Sequence, residues 1–391
     1  MSRPDAAIAM LEKLVGFDTT SRRSNMALID FVTAELRAHG VAARLVPNAA
    51  GDKANLYASI GPDRDGGVVL SGHTDVVPVD GQRWTSDPFQ LREDSGRLYG
   101  RGATDMKGFI ACALALLPEM AQARLNAPIH FAWSYDEEIG CRGVPAMIAR
   151  MVEDIPAPLA VIVGEPTEMK LVNAHKGLAI YRTRIQGRVA HSSQTQAGAS
   201  AVMAAGRLIA KLHEISEHRR LTAAPDSPFN PPHSTMTANT VSGGTAINIL
   251  ASECQFEWDL RVVPGDDQEA IVAEMRAFAR DVVLPDMRDT APDADIVIEE
   301  ISAAPPLAPE PNGAAEALIR ALTGANTAEA VAYGTEAGLF QGAGMSTIVC
   351  GPGAVAQAHQ PDEWVAIDQL AECTTLLRRL IRHLSGRIGR I

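Results

Sequence analysis

Residues Ala127–Gly143 read APIHFAWSYDEEIGCRG. An apolar run, Ile129 to Trp133, stops at three consecutive acids, Asp136, Glu137 and Glu138. Neighbouring like charges repel, so a carboxylate triplet closing a buried strand needs water, a basic partner or a metal ion to offset it. The device recurs. LAVIVGEPT (Leu159–Thr167) is a second apolar strand that ends at Glu165, and GGVVLSGHTDVV runs apolar over Val68–Leu70 before His73 and Asp75. Helical periods separate these strands, in MKGFIACALALLPEMAQA (Met106–Ala123) and VPAMIARMVEDI (Val144–Ile155). Strand–helix alternation predicts an α/β layer with a mostly parallel sheet. In such sheets functional residues collect beyond the carboxyl ends of the strands, where His73, Asp75, Glu137, Glu138 and Glu165 all stand.

The texture changes after about Gly177. LAIYRTRIQGRVAHSS alternates apolar and polar residues, as a half-exposed strand does. A helix (SAVMAAGRLIAKLHEI), a Pro-rich loop (APDSPFNPPHS), the strands TMTANTVSGG and CQFEWDLRVV, a helix from about Asp267 to Val283 and the strand ADIVIEEI follow. Residues 179–302 therefore read as an inserted α+β domain with an antiparallel sheet. The flanking segments, 1–178 and 303–391, read as one catalytic, metal-binding domain. After the Pro-rich crossover SAAPPLAPEPNG the α/β pattern resumes, with a helix near Ala314–Leu322, the strand STIVCGPG and a last helix from Asp368.

The chain has 391 residues, 46% of them hydrophobic and 21% charged, enough to bury sizeable cores. A net charge of −12 argues against a general nucleic-acid binder, because neutralising phosphates needs clustered Lys and Arg. The N-terminal segment reads as an amphipathic helix with Ile8, Leu11, Leu14 and Val15 on one face, and not as a signal peptide. No stretch approaches the roughly 18 apolar residues of a membrane span. Five scattered cysteines without a C-x-x-C pair favour reduced thiols, and hence a cytoplasmic protein.

Each chemical signal has a plain alternative. His73 and Asp75 suit a metal-binding imidazole oriented by a carboxylate, or a solvated loop. Asp105, in GRGATDMKG, suits a ligand or a helix cap. The acids of YDEE suit a metal or a surface turn. His359, in the Gly-rich GPGAVAQAHQPDEWV, suits a ligand or an exposed loop. In combination they place two His and at least three carboxylates at strand ends or loops of one domain, without Cys. That donor set excludes a Cys-type structural zinc site and fits a hydrolytic pair of zinc, manganese or cobalt ions. There is no G-x-S-x-G elbow, no Walker pattern and no strand–GxGxxG–helix context.

The ordered motifs SGHTDVVPVDGQRW, DPF, LYGRGATDMKGF, SYDEEIG, VGEPT, GRVAHSS and AHQPDEW resemble the dinuclear zinc aminoacylase and carboxypeptidase family over nearly the whole chain. Within it the chain looks most like a branch that deacylates an N-acyl amino acid with a cationic side chain. The resemblance implies two zinc ions, with cobalt able to substitute. His73 and Glu165 would bind one ion, Glu138 and His359 the other, and Asp105 would bridge them, followed by a cis peptide. Asp75 would orient His73, and Glu137 would stay off the metals as general base. The inserted domain would act as lid and homodimer interface, presenting His191 to the partner's active site to steady an oxyanion. Asn248 and Arg261 would bind the substrate carboxylate. Glu336, in YGTEAGLF, would meet the cationic amine, or else serve as a helix-start carboxylate.

Overall fold

The structure, a computed structural model, describes residues 2–386. Two compact units form. The first gathers the described residues of Met1–Ala174, Leu307–Ala330 and Thr335–Ile391, and the second those of His175–Pro306 and Val331–Gly334.

The first unit is α/β. Its eight-stranded sheet runs in the order Ala43–Pro47, Ala54–Ile60, Ile129–Ser134, Gly67–His73, Pro158–Pro166, Thr347–Gly351, Val172–His175, Glu329–Val331. The sheet is parallel through its middle, from Ile129–Ser134 to Thr347–Gly351, and antiparallel where the Ala43–Pro47, Ala54–Ile60 and Val172–His175 strands join. Every residue of Gly67–His73 and of Ile129–Ser134 is buried, as expected of strands covered on both faces. The helix Lys107–Ala115 is apolar nearly all round and is buried from Lys107 to Leu114, with Phe109, Ile110, Cys112 and Ala113 in the core. Glycine makes one approach possible. At Gly164 an added Cβ would lie 2.0 Å from the Phe109 ring, so only Gly lets this helix seat against the sheet.

The segment expected as one helix over Met106–Ala123 is two, Lys107–Ala115 and Leu117–Gln122. Pro118 explains the break: it lacks an N–H and its ring collides with the carbonyl four residues back.

The second unit is a four-stranded antiparallel sheet ordered Thr235–Gly243, Glu253–Val262, Gly177–Gln186, Asp295–Ala304. Burial alternates strictly along Gly177–Gln186, so one face meets a core and the other stays open. The helices Ala201–Leu221 and Gln268–Phe278 cover the buried face, packing Leu208, Leu212, Ile271 and Met275 with Phe256, Trp258 and Leu260. Tyr181 stacks on Trp258 with ring centroids 4.4 Å apart.

Candidate active site

Five side chains converge beyond the carboxyl ends of the parallel strands. His73 ends Gly67–His73, Glu138 follows Ile129–Ser134, and Glu165 is the last residue but one of the strand Pro158–Pro166. Asp105 precedes the Lys107–Ala115 helix, and His359 lies in the loop after Thr347–Gly351. Asp105 is central. Its Oδ1 accepts from His73 Nε2 at 2.9 Å, and its Oδ2 is 3.3 Å from His359 Nε2. His359 Nε2 also lies 3.0 Å from Glu138 Oε2, and His73 Nε2 lies 3.7 Å from Glu165 Oε1. The helix begins after Met106 without a side-chain cap, so Asp105 does not serve as one. The Asp105–Met106 peptide is cis.

The charges are crowded. Burial pushes Glu137 up to about 8, with repulsion from Glu138 and Asp105 adding to it against the attraction of His73. Burial and then Asp105 push Glu138 up to about 7, and the same two causes hold Glu165 well above the usual carboxylate range. His359, hydrogen-bonded to Asp105 and Glu138, is raised to about 10. Burial opposes a charged His73, yet the hydrogen bond to Asp105 and the charges of Glu165 and Asp105 raise it well above its ordinary value. Burial likewise opposes ionisation of Asp105, and hydrogen bonds from His359 and His73 overcome it and lower its pKa.

A cation would relieve this crowding, and the donors fit one. In each of two groups, His73–Glu137–Glu165 and His73–Asp105–Glu138, one ligand atom per residue lies within 4.8 Å of the others. Glu138 Oε1 is buried without a hydrogen-bond partner, a free acceptor that a metal ion would satisfy. Mixed imidazole and carboxylate donors suit zinc, cobalt or manganese.

The residues around the ligands depart from the sequence reading in instructive ways. Asp75 does stand beside His73, but its backbone carbonyl receives the Nδ1 bond at 2.8 Å, with the carboxylate 3.8 Å away. That carboxylate instead accepts from the amides of Glu137 and Glu138, at 3.1 and 3.3 Å, and from Ser21 Oγ at 2.7 Å. It shapes the turn that carries both glutamates. Asp136 pairs with Lys53 Nζ at 2.5 Å and turns the chain at φ 56°. Glu137, expected to stand off the metals, offers an oxygen to the first ligand group, and its Oε1 accepts from Cys141 Sγ at 3.3 Å.

Glu336 is fully buried beside the site and makes no helix cap; Ser71 Oγ donates to one of its oxygens at 2.5 Å and Ser134 Oγ to the other at 2.7 Å. Burial raises its pKa despite the two hydroxyls.

His191, Asn248 and Arg261 belong to the second unit. His191 and Asn248 are neighbours there: Ser192 N donates to the Asn248 carbonyl at 3.0 Å, and His191 bridges Ile249. His191 is exposed, with Nδ1 2.8 Å from Ser193 Oγ. Arg261 is half-buried and its Nε donates to Asp259 at 3.0 Å. Lys53, Arg101, Gln82, Glu363, Ser71 and Ser134 were not singled out in the sequence. Ser71 and Ser134 carried a signal as polar residues inside apolar strands, and Arg101 as a cation between two glycines; the others carried none.

Comparison with known proteins agrees with this geometry. Residues 69–383 match the model of peptidase family M20/M25/M40. An acetylornithine deacetylase of Myxococcus xanthus is 35% identical over 97% of each chain. Another, of Edwardsiella ictaluri (strain 93-146), is 34% identical over 93% of this chain and 92% of its own. Among solved structures, an M20 family metallo-carboxypeptidase of Sulfolobus solfataricus superposes with a TM-score of 0.75 at 17% identity, covering 97% of this chain and 99% of its own. The chain is a hydrolase that belongs to peptidase family M20/M25/M40.

Proposed function

We propose that this enzyme removes the acetyl group from N2-acetyl-L-ornithine, releasing acetate and L-ornithine, with two divalent metal ions as cofactors. The observation that carries the reading is the crowded cluster of His73, Asp105, Glu138, Glu165 and His359, with Glu137 beside it, in a chain whose near full-length relatives are acetylornithine deacetylases. His73 and Glu165 would hold one ion, Glu138 and His359 the other, with Asp105 between. Bound zinc or cobalt would supply Lewis-acid charge and acidify an attacking water.

The chain's own residues do the rest. Glu137 takes the water's proton and returns it to the departing amine. Its place in the first ligand group, beside the proposed ions, suits a general base. The Asp75 carboxylate fixes the Glu137 and Glu138 amides, so the base and a ligand point from one rigid turn. The exposed imidazole of His191 is suited to meet an oxyanion, and Asn248 and Arg261 to hold the substrate carboxylate.

The partner we propose is a second copy of this chain, bound through the second unit as lid and dimer interface. Exposed Val189, Val241, Ile247 and Ile249 and the unpaired edge of Thr235–Gly243 support this. The five cysteines are free and buried, which suits a reducing cytoplasm. None of the described helices is long and apolar enough to cross a membrane.

Acetate release from acetylornithine tests the function. It should vanish with a chelator and return with added zinc or cobalt. Hydrolysis of other N-acyl amino acids or dipeptides, with acetylornithine untouched, would move the enzyme to another branch of the family.

A further inference from the structure

The proposed centre needs Asp105 and His359 at one spacing, yet they come from loops far apart in the chain. Packing does little to hold His359: its side chain is 52% exposed and its backbone sits at φ 63°. Beneath the two ligands runs an unbroken line of hydrogen bonds. Glu363 Oε1 accepts from the amides of Thr104 and Asp105, at 2.9 and 3.1 Å. Its Oε2 accepts from Arg101 Nη1 at 2.7 Å, with both side chains only 1% exposed. Arg101 Nη2 donates to Gln82 Oε1 at 2.5 Å, and Gln82 Nε2 donates to the His359 carbonyl at 2.8 Å. Trp84 lies over the guanidinium, 5.0 Å from its ring centroid, and its indole N–H also reaches Gln82 Oε1. Thr85 grips the same loop further on, where its amide and hydroxyl reach Asp362 Oδ1 at 2.9 and 3.0 Å.

A buried Arg–Glu pair is about neutral for stability against apolar residues of the same size. Its planar, directional bonds do something apolar contacts cannot: they fix the peptide plane entering Asp105 and its distance from the His359 carbonyl.

We infer that Glu363, Arg101 and Gln82 form a positioning relay that sets the spacing of Asp105 and His359, and through it the affinity of the metal site to which His359 belongs. The inference rests on the metal centre proposed above. The three residues act through Asp105 and His359 and are positioning residues.

Gln82→Glu is the sharpest probe. It keeps an acceptor for Arg101 and Trp84 and loses the N–H that holds His359. Glu363→Gln keeps the shape but removes the charge facing Arg101. Each metal-free protein is titrated with cobalt(II), following visible absorbance and metal bound per chain. The wild type should take up two ions. Gln82→Glu, which frees only the His359 end, should bind one of them about 10–100-fold more weakly and the other within about twofold of wild type, and Glu363→Gln, which also frees Asp105, should weaken both. Arg378→Ala, which breaks an exposed pair with Glu119, should leave both steps unchanged. If Glu363→Gln does not fold, Gln82→Glu decides alone, since Gln82 lies half-buried in a loop. Wild-type binding of both ions by the variants overturns the relay, and so does equal weakening of both steps in Gln82→Glu. A wild type that binds fewer than two ions overturns the dinuclear centre itself, and the relay with it.

Discussion

Removing Lys53 should loosen the turn that presents Glu137 and Glu138, and the size of the loss can be worked out. Lys53 Nζ contacts Asp136 Oδ1 at 2.5 Å and also donates to the Ser21 carbonyl. At an effective dielectric of about 20, the gross attraction at that separation is about 6–7 kcal/mol. Much of it only offsets the desolvation of two charges, so the intact pair is nearly neutral. Lys53→Met keeps the stem but leaves Asp136 unpaired, and burial already raises Asp136's pKa with the lysine in place. Breaking a buried pair costs about 3–5 kcal/mol, and the 11% and 14% exposure of the two side chains puts this one at the lower end, about 3 kcal/mol. The double variant Lys53→Met/Asp136→Asn should recover about 2 kcal/mol of that, Asn being chosen because it tolerates the positive φ. Guanidinium unfolding followed by tryptophan fluorescence is a suitable assay, since Trp84, Trp133 and Trp364 all lie in the first unit. A loss below about 1 kcal/mol, or a coupling energy near zero in the double-mutant cycle, would show that water screens the pair as it does at a surface.

Other outcomes follow from the same geometry. Glu137→Ala should retain metal yet lose about 10²–10⁴-fold in kcat, whereas Glu138→Ala should lose metal, as metal content per chain will tell. Near wild-type turnover in Glu137→Ala would remove the base. Glu336→Gln should depress turnover of acetylornithine and of an uncharged acetyl amino acid equally, because its oxygens bind the Ser71 and Ser134 hydroxyls of two neighbouring strands; a loss confined to acetylornithine would point to direct contact with the cationic amine. Burial holds His130 down to about 4, so its folded pKa lies below the ordinary 6.5. The unfolded chain then binds the proton first, and stability falls as pH drops from about 6.5 to 4. His130→Gln should flatten that part of the denaturation-versus-pH curve, and an unchanged slope would mean that His130 takes no part in it.

The α/β layer was legible because buried strands and apolar helices alternate so plainly around Ile129–Trp133 and Leu159–Glu165. The convergence of His73, Asp105, Glu138, Glu165 and His359 was legible from their shared position after strands and from the order of the motifs. What escaped was pairing across distance. Nothing in GDKANLY marks Lys53 as the partner of Asp136. Strand alternation placed the Asp75 side chain beside His73, but the chain leaves the sheet at Thr74, and the carbonyl takes the imidazole's hydrogen bond instead. Glu336 looked free because its serine partners sit in two other strands. Ser134 pairs in register with His73, and Ser71 with Ala132, so the hydroxyls sit close enough to share one carboxylate. Two isolated serines inside apolar strands were the available signal that a buried acceptor lay between them.

The strand Thr347–Gly351 lies between Pro158–Pro166 and Val172–His175, deep within the sheet rather than at its rim. On the ribosome this order has a cost in time. The apolar edge of Pro158–Pro166 leaves the exit tunnel long before its neighbour is made. At about 5–20 residues per second, the wait spans roughly 10–40 s. Throughout that interval a nascent chain presents an open edge and an acidic cluster that still lacks His359. An unpaired apolar edge is a template for wrong pairing. The yield of active enzyme should therefore track translation speed through residues 167–347, the stretch over which that edge stays open.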